Sequence, residues 1–408
     1  MTVRRWRPTW AEIDLDAVTA NASVLAGLAA PGALCAVVKA DGYGHGAVGV
    51  ARAAVAGGAA WLAVAMVEEG IALREAGIDA PILVLSEPPE EAWEEAVRNR
   101  LVPTVYTVPA VRALGAVVAR RRADAEQGAG DGAGRDAADA GPYPVHLKVD
   151  TGMHRVGADL DAVPEVVRAL WGTPGLSLAG LWTHLAVADG AGPEDAGFTH
   201  RQLHAFFGLR DSLRRDGVDP GLVHAANSAG AIAYPEARLD LVRCGISLYG
   251  ELPAPHLGPL LAAATGGGSV RPALSLRARV TSVRTLPAGA RPSYGRARPL
   301  PERSLVATAP IGYADGLPRR LFECGGTVLI RGVRRPFAGV VTMDQIVVDC
   351  GPVSERGVEV GDEVVLIGTQ GGESITATEW ATLLSTISYE VLCGIGPRVP
   401  RLVRQRPA

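Results

Sequence analysis

The sequence lacks the imbalances of charge and hydrophobicity that mark several classes of protein. Its formal net charge is only -3 over 408 residues, which argues against nucleic acid or an anionic membrane as the main partner. No uninterrupted apolar run is long enough to span a bilayer, and no hydrophobic signal core follows Arg4, Arg5 and Arg7. We therefore expect a cytoplasmic protein that binds neither nucleic acid nor membranes.

Cysteine is scarce, and its placement excludes a disulfide framework. The five cysteines lie far apart, and none of their spacings is typical of a metal site. They are predicted to be reduced thiols that serve in packing. We expect no metal ion.

Eight short apolar runs alternate with helix-forming segments between residues 33 and 243. This alternation predicts parallel strand pairing, and eight units favour a closed (β/α)8 TIM-type barrel, with an open doubly wound sheet as the alternative. The predicted strands are 33–39, 61–66, 81–85, 102–106, 145–149, 178–184, 222–226 and 239–243.

The pattern changes after about residue 265, where strands with turn signals between them predict a mainly β domain. We predict a barrel domain over 1–265 and a β domain over 266–408, and residues 1–12 could pair with the latter. The predicted strands of the β domain are 273–286, 304–309, 327–331, 346–349 and 363–367, with one clear helix near 377–385.

One stretch is predicted to carry no chemistry. Residues 120–142 are rich in Ala, Gly and Asp and have almost no large apolar side chains. Such a stretch cannot bury enough surface to offset its ordering entropy, so we expect a flexible surface insertion.

Lys39 is the most informative residue. It ends the apolar run 33–38 and precedes a glycine-rich turn, so its amine would lie at a strand end among apolar neighbours. Burial disfavours the charged form of lysine, and a neutral amine forms a Schiff base with a carbonyl cofactor. The alternative is an interfacial lysine whose stem packs on apolar surface.

Other polar residues lie at or near strand ends, which in a barrel meet at one rim. Lys148, His184, Asn227 and Arg243 occupy such positions, and Arg155 could hold a carboxylate in a bidentate manner. Ser228 offers a short donor for a phosphate. Together these residues favour a site for pyridoxal phosphate.

The glycines at 44, 46 and 49 formally match a dinucleotide-binding pattern. The match is poor, because five residues separate the strand from the first glycine. These glycines are instead predicted to let the backbone approach a phosphate, with the Tyr43 hydroxyl as a further donor.

These segments, taken together, resemble the alanine racemase family along nearly the whole chain. Three differences from many relatives are visible, at Asp41, Cys244 and Val340. The motifs that carry the resemblance are VVKADGYGHG (37–46), KVDTGM-x-R (148–155), HAANS (224–228), VR-x-GI-x-LYG (242–250), SYG (293–295), IGYADG (311–316), TMDQ (342–345) and SYEVLC (388–393).

The resemblance implies a homodimer with shared active sites that interconverts L- and D-alanine with pyridoxal 5'-phosphate. Lys39 would be the base on the D face, and Tyr294 of the partner subunit the base on the L face. His184 and Arg243 would support the tyrosine, and Arg243 would also face the pyridine nitrogen. Lys148 could carry a carbamate that holds Arg155.

The resemblance also assigns binding roles. The expected cofactor-binding residues, besides Lys39 and Arg243, are Tyr43, Ser228, Gly245, Ile246 and Tyr389. Arg155 and Met343, the latter from the partner subunit, would contact the substrate carboxylate. Tyr313, Asp315 and Arg319 would line the entry route.

Three other functions are alternatives to the predicted one, which is racemisation of alanine to supply peptidoglycan synthesis. A cofactor-carrier protein on the same barrel would lack the β domain and therefore Tyr294. A decarboxylase of the same barrel class would place an acidic group, rather than Arg243, at the pyridine nitrogen. A broad-specificity amino-acid racemase would usually be exported, and no signal peptide is recognised.

Overall fold

A computed structural model describes residues 6–126, 141–353 and 357–404 of the chain. The chain divides into two compact units. The barrel unit comprises Val18–Gly42 and Ala47–Arg271, and the β unit comprises Met1–Ala17, Tyr43–Gly46 and Pro272–Ala408. The second unit is thus assembled from three separate stretches of sequence.

Strands and helices are numbered along the chain. The strands are β1 (Thr9–Asp14), β2 (Ala33–Val37), β3 (Ala59–Val64), β4 (Ile82–Val84), β5 (Val102–Val105), β6 (Tyr143–Lys148), β7 (Leu176–Trp182), β8 (Leu222–His224), β9 (Leu241–Cys244), β10 (Leu274–Arg279), β11 (Ser282–Leu286), β12 (Ser304–Ala309), β13 (Thr327–Ile330), β14 (Val333–Pro336), β15 (Ile346–Pro352), β16 (Glu363–Gln370), β17 (Glu373–Ile375) and β18 (Arg401–Arg404). The α-helices are α1 (Leu15–Ala29), α2 (Ala47–Ala56), α3 (Val67–Glu75), α4 (Trp93–Arg98), α5 (Val108–Glu126), α6 (Val163–Trp171), α7 (Pro193–Arg215), α8 (Ser228–Ala233), α9 (Leu257–Ala264), α10 (Ala377–Leu384) and α11 (Ser388–Cys393).

The eight strands of the barrel unit form one parallel sheet in the order β8-β7-β6-β5-β4-β3-β2-β9. The two edges meet through single hydrogen bonds: Asp240 N donates to Val223 O at 3.0 Å, and Arg243 N donates to Ala226 O at 3.0 Å. The predicted barrel is therefore confirmed, and the open doubly wound alternative is wrong. All eight predicted strands are present, most of them shorter than expected.

Burial explains why the sequences of these strands are continuous apolar runs. All four residues of β5 and of β9 are buried, as are four of the five in β2. Strands of a parallel barrel are covered on both faces, which removes the alternation seen in half-exposed strands. The carboxyl ends of the strands then share one rim.

The β unit contains a seven-stranded and a three-stranded sheet. The larger has the order β14-β13-β16-β10-β1-β18, with β17 beside β16, and the smaller has the order β11-β12-β15. Strand β1 alternates buried and half-buried residues, and it pairs antiparallel to β10 and parallel to β18. The first strand of the chain therefore lies inside this sheet.

Two predictions for the β unit were wrong in detail. The stretch 273–286 is not one strand, because it breaks after Arg279 into β10 and β11, which belong to different sheets. The helix near 377–385 is present as α10, and a second helix, α11, follows it. Strands β14, β17 and β18 were not predicted.

The predicted insertion at 120–142 falls largely outside the described part of the chain, which resumes at residue 141. Its first residues, including Arg120, Arg121 and Arg122, continue helix α5 to Glu126. Among the described residues, no helix has the length and hydrophobicity needed to cross a membrane. The same residues hold no cluster of three or more His, Cys, Asp or Glu side chains arranged to bind a metal.

Candidate active site

Lys39 lies at the carboxyl end of β2 and starts a left-handed turn. Ala40, Asp41 and Gly42 have φ values of 52°, 51° and 61°, a region that residues with a Cβ rarely occupy. Gly42 N closes the turn by donating to Val38 O at 2.9 Å. The half-buried Lys39 is therefore placed at the barrel rim by a strained backbone, which is typical of functional sites.

Asp41 has a structural role in this turn. Its carboxylate accepts a hydrogen bond from Ala47 N at 2.8 Å. Because Ala47 starts α2, the aspartate caps that helix, where a negative charge is favourable. The carboxylate of Asp41 thus links the Lys39 turn to the start of α2.

Arg243 is buried at 3 % exposure, and four hydrogen bonds fix its guanidinium. Nη2 donates to the carbonyl oxygens of Thr183 and Ala225 at 2.8 and 2.9 Å. The other two bonds go to imidazole nitrogens: Nη1 to His224 Nδ1 at 2.8 Å, and Nη2 to His184 Nδ1 at 3.3 Å. No carboxylate of the described residues pairs with it.

The charge on Arg243 sets the tautomers of the histidines beside it. Burial lowers the pKa of Arg243 to about 10, so the group stays protonated at neutral pH. It can only donate, so His224 Nδ1 must accept, and the proton of the neutral ring lies on Nε2. Nε2 in turn lies 2.9 Å from His146 Nδ1, which must then accept.

Both histidines are held neutral. Burial lowers the pKa of His146 to about 3, and burial together with the charge of Arg243 lowers the pKa of His224 well below its usual value. The indole of Trp182 stacks on His224 at 5.6 Å with an interplanar angle of 7°. The result is a rigid support for one arginine.

His184 is the second imidazole that contacts the Arg243 guanidinium. Burial lowers the pKa of His184 well below its usual value, and the cations Arg243 and Lys148 lower it further. Nη2 of Arg243 has two hydrogens for three acceptors, so His184 Nδ1, at 3.3 Å, accepts a hydrogen that is shared with a carbonyl oxygen. The proton of the neutral ring then lies on Nε2, which is left as a donor. A neutral histidine of fixed tautomer is thus available at the rim.

Lys148 ends β6 and is 3 % exposed. Its Nζ lies 4.7 Å from the centroid of the Trp182 ring. Burial lowers the pKa of Lys148 to about 8, and Arg155 and Arg243 contribute in the same direction. A sizeable fraction of this amine is therefore neutral near physiological pH.

The rim carries an excess of positive charge. Lys39, Lys148, Arg155 and Arg243 all lower the pKa of His184, and Asp150 is the carboxylate that acts on Lys148. Among the described residues, no ion pair neutralises Lys148, Arg155 or Arg243. Such a rim favours an anionic ligand, such as a phosphate or a carboxylate.

Ser228, Gly245 and Ile246 lie together beside Arg243. Ser228 Oγ accepts from Gly245 N at 3.1 Å, and Ser228 and Ile246 are 4 % and 0 % exposed. Cys244, between Arg243 and Gly245, is wholly buried, and burial raises the pKa of its thiol to about 12. The thiol is therefore inert, and this departure from the family pattern does not add a reactive group.

In the β unit, Tyr43 and Tyr389 lie together, with ring centroids 6.1 Å apart. Gly44 permits this arrangement. It has φ +78°, and a Cβ there would lie 2.8 Å from the carbonyl oxygen of Leu392. Arg401 Nε further fixes the loop by donating to Gly44 O at 2.9 Å. The two predicted phosphate-binding tyrosines are thus brought to one place.

Tyr294 is presented on a tight turn and is 75 % exposed. Ser293 and Gly295 on either side have φ values of 67° and 69°. Ser293 Oγ donates to the carbonyl oxygen of Val340 at 2.8 Å, which fixes the turn. Val340 itself is buried at 6 % exposure. At this departure from the family pattern the side chain is therefore apolar and carries no charge.

Backbone hydrogen bonds join the segment that carries Tyr313 to the segment that carries Met343. Tyr313 N donates to Thr342 O at 2.9 Å, and Ala314 N donates to Met343 O at 3.1 Å. Tyr313 and Met343 are 43 % and 52 % exposed. Arg319, also predicted to line the entry route, is exposed and forms a weak ion pair at 4.0 Å with Glu323.

Asp315 differs from the other predicted entry residues because it is buried at 1 % exposure. Its oxygens accept from Arg7 Nη1 and Nη2 at 2.8 and 2.7 Å, and Oδ2 also accepts from Gly312 N at 3.0 Å. Arg398 lies 3.4 Å away. The described geometry therefore gives this carboxylate a structural role.

Sequence reasoning did not assign His146, His224 or Trp182 to the site. Each lies in or at the end of a barrel strand, which was the available signal. Their importance depends on contacts between residues far apart in sequence, such as the pair 146 and 224, and no local pattern shows such contacts.

Two family models match nearly the whole chain: the alanine racemase N-terminal domain at residues 13–253 and the alanine racemase C-terminal domain at residues 273–403. Alanine racemase of Symbiobacterium thermophilum is 45% identical over 397 residues, which cover 97% of each chain. That of Nostoc sp. is 39% identical over 395 residues, which cover 96% of this chain and 95% of the relative.

Solved structures agree. Alanine racemase of Bacillus anthracis, with bound L-Ala-P, superposes with a TM-score of 0.84 at 35% identity, covering 99% of this chain and 97% of that one. The enzyme of Streptomyces lavendulae gives 0.84 at 37% identity and 98% coverage of both chains. The resemblance read from the motifs is confirmed, and this chain belongs to the alanine racemase family.

Proposed function

We propose that this chain is a pyridoxal 5'-phosphate-dependent isomerase that interconverts L- and D-alanine. The observation that carries the proposal is the cationic rim centred on Arg243, which donates to neutral imidazoles and carbonyl oxygens. This donor set fits the cofactor, because a phosphate would meet the positive charge and a ring nitrogen would meet a group that cannot readily give up a proton. When bound, the cofactor withdraws electrons from the α-carbon of the amino acid.

Two groups of the protein move the proton. Lys39, which would hold the cofactor, would take or return the proton on the D face. Tyr294 of the partner subunit does so on the opposite face, as a two-base racemisation requires. The exposure of Tyr294 in a single chain, at 75 %, supports its use by a second subunit.

Neutral His184 and charged Arg243 would support the tyrosine. A phenol has a pKa of about 10 and is a poor base at neutral pH unless its anion is stabilised. His184 Nε2 is left as a donor because Nδ1 accepts from Arg243 at 3.3 Å. A hydrogen bond from this nitrogen, with the positive charge behind it, would lower the pKa of the phenol.

The binding roles are also divided between the chain and its partner subunit. We assign phosphate contacts to Tyr43, Ser228, Gly245, Ile246 and Tyr389. Arg155, together with Met343 of the partner subunit, holds the substrate carboxylate. Tyr313 and Arg319 belong to the entry route, and the buried Asp315 supports the same segment by accepting from Gly312 N. The exposure of Met343, at 52 %, supports its contact with a second subunit.

Lys148 is proposed to carry a carbamate. The neutral amine attacks carbon dioxide, a carbon–nitrogen bond forms and a proton is released, which leaves one negative charge. Its lowered pKa of about 8 supplies the neutral amine, and Arg155 and Arg243 nearby favour the anion. Extra density on Nζ in crystals grown near neutral pH is expected, and a bare amine there would refute this assignment.

A homodimer, a cytoplasmic location and supply of D-alanine for peptidoglycan complete the proposal. Free cysteines at the five positions agree with a reducing compartment. Arg243 disfavours a decarboxylase, and the β unit with Tyr294 disfavours a cofactor carrier. Substrate breadth is open to a broader racemase as the second candidate.

The test combines an absorbance spectrum with chiral analysis. Purified wild type is expected to show the visible band of lysine-bound cofactor and to form D-alanine from L-alanine. Lys39→Ala should lose both. A band without D-alanine would refute the alanine assignment, and other amino acids would then be tried as substrates.

A further inference from the structure

Glu69 connects the Lys39 turn to the next strand–helix unit of the barrel. Its Oε1 accepts from Ala40 N at 2.6 Å, and its Oε2 accepts from Ala65 N and Met66 N at 2.8 and 3.2 Å. One carboxylate thus binds three backbone donors from two strand ends. Bonds of this kind, with a charged acceptor, are stronger than neutral ones.

The turn that Glu69 holds is strained at non-glycine residues. Ala40 and Asp41 have φ values of 52° and 51°, a conformation that an L-residue does not keep without outside support. Inside the turn, Gly42 N bonds Val38 O, and Asp41 bonds the start of α2. The Glu69 bond to Ala40 supplies support from a different element, helix α3.

The hydrogen bond between Ala40 and Glu69 also affects Lys39. Ala40 is the next residue in the chain, and its amide belongs to the peptide bond that carries the Lys39 carbonyl. Strands β2 and β3 are neighbours in register, with Val37 opposite Ala63, and Val38 N bonds Ala63 O at 2.8 Å. Fixing Ala40 to Glu69 therefore fixes the direction in which the Lys39 side chain leaves the rim.

We propose that Glu69 is a positioning residue that locks the left-handed turn and so aims the Lys39 amine into the site. This inference rests on the proposed role of Lys39. The competing explanation is that Glu69 only caps its own helix, where it is the third residue of α3.

The test uses Glu69→Gln, Glu69→Asp and the matched control Glu68→Gln, an exposed glutamate one residue earlier on the same helix. Glutamine is isosteric, but its NH2 group cannot accept, so one or more backbone donors are left unbound. Aspartate keeps the charge and can still reach the start of its own helix, but is too short to reach Ala40 as well.

The first readout is amide hydrogen exchange at Ala40 in the cofactor-free protein. Glu69→Gln and Glu69→Asp are expected to speed this exchange at least about tenfold, as loss of a hydrogen bond to a charged acceptor predicts, and Glu68→Gln is not. Unchanged exchange at Ala40 in Glu69→Asp would overturn the lock and leave the helix cap as the role of Glu69.

The second readout is the rate at which Lys39 is labelled by pyridoxal phosphate and borohydride, measured by peptide mass spectrometry. We expect about a tenfold slower rate in both Glu69 variants, with a similar fall in kcat and a KM for alanine within about twofold. Equal slowing in Glu68→Gln would refute the inference. If Lys39 of wild type is not labelled, the proposed function fails instead, and exchange at Ala40 still decides whether the lock exists.

Discussion

The buried histidine pair makes a quantitative prediction about acid stability. The pKa of His146 is about 3 in the folded chain, against 6.5 for an ordinary histidine, because burial excludes its charged form. On acidification the unfolded chain therefore binds a proton near pH 6.5 that the folded chain does not bind until about pH 3. The contribution of this residue to stability is complete above pH 6.5 and is lost as the pH falls.

Linkage gives the size of the effect. Between pH 7 and pH 5, one histidine that protonates only when unfolded lowers the free energy of unfolding by about 2 kcal/mol. The pKa of His224 is also lowered well below its usual value, by burial and by the charge of Arg243, so this residue acts in the same direction. Since domains are stable by only about 5–15 kcal/mol, the effect is measurable.

The assay is urea unfolding at a series of pH values, at one fixed protein concentration because an oligomer would unfold with concentration dependence. His146→Gln is expected to reduce the slope of stability against pH by about 1.4 kcal/mol per pH unit between pH 4 and pH 6. His204→Gln, at an exposed position on α7, is the matched control. A wild-type slope in His146→Gln would refute the assigned neutral state of the pair.

Three further predictions concern the site. Lys39→Ala and Tyr294→Phe, each nearly inactive, should regain part of the activity when mixed and re-paired, and no recovery in verified heterodimers would contradict shared sites. Arg243→Gln should lower kcat at least about a hundredfold in a racemisation assay, since it removes the buried charge that orients both imidazoles. Arg7→Ala should lower the free energy of unfolding by about 1–3 kcal/mol, because it leaves the buried Asp315 carboxylate with fewer partners. Unchanged urea midpoints in Arg7→Ala would refute the structural role of Asp315.

The barrel could be predicted because its strands are buried on both faces. Runs such as 33–38 and 102–106 carry that burial in the local sequence, and strand ends identified Lys39, Lys148, His184 and Arg243 as rim residues. The β unit was predicted less well, since short strands such as β17 and β18 depend on partners far along the chain.

What the sequence did not reveal is how the rim residues are held. The roles of His146, His224 and Glu69 follow from hydrogen bonds that join different strand–helix units, over separations such as 78 and 29 residues. Glu69 lies 29 residues from Ala40 in the sequence. Only the fold shows that its carboxylate binds the backbone of the Lys39 turn.

The place of β1 in its sheet has a consequence for synthesis on the ribosome. Its two partners, β10 and β18, begin at Leu274 and Arg401, so β1 emerges first, β10 follows only after all the barrel strands, and β18 emerges last. At about 5–20 residues per second, β1 waits roughly 13–50 s for its first partner. During that time residues 33–244 can complete the barrel strands, while the nascent β1 exposes an unpaired edge. Such an edge is a target for chaperones that bind extended segments. The order of synthesis therefore makes β1 one of the last strands to be stably paired.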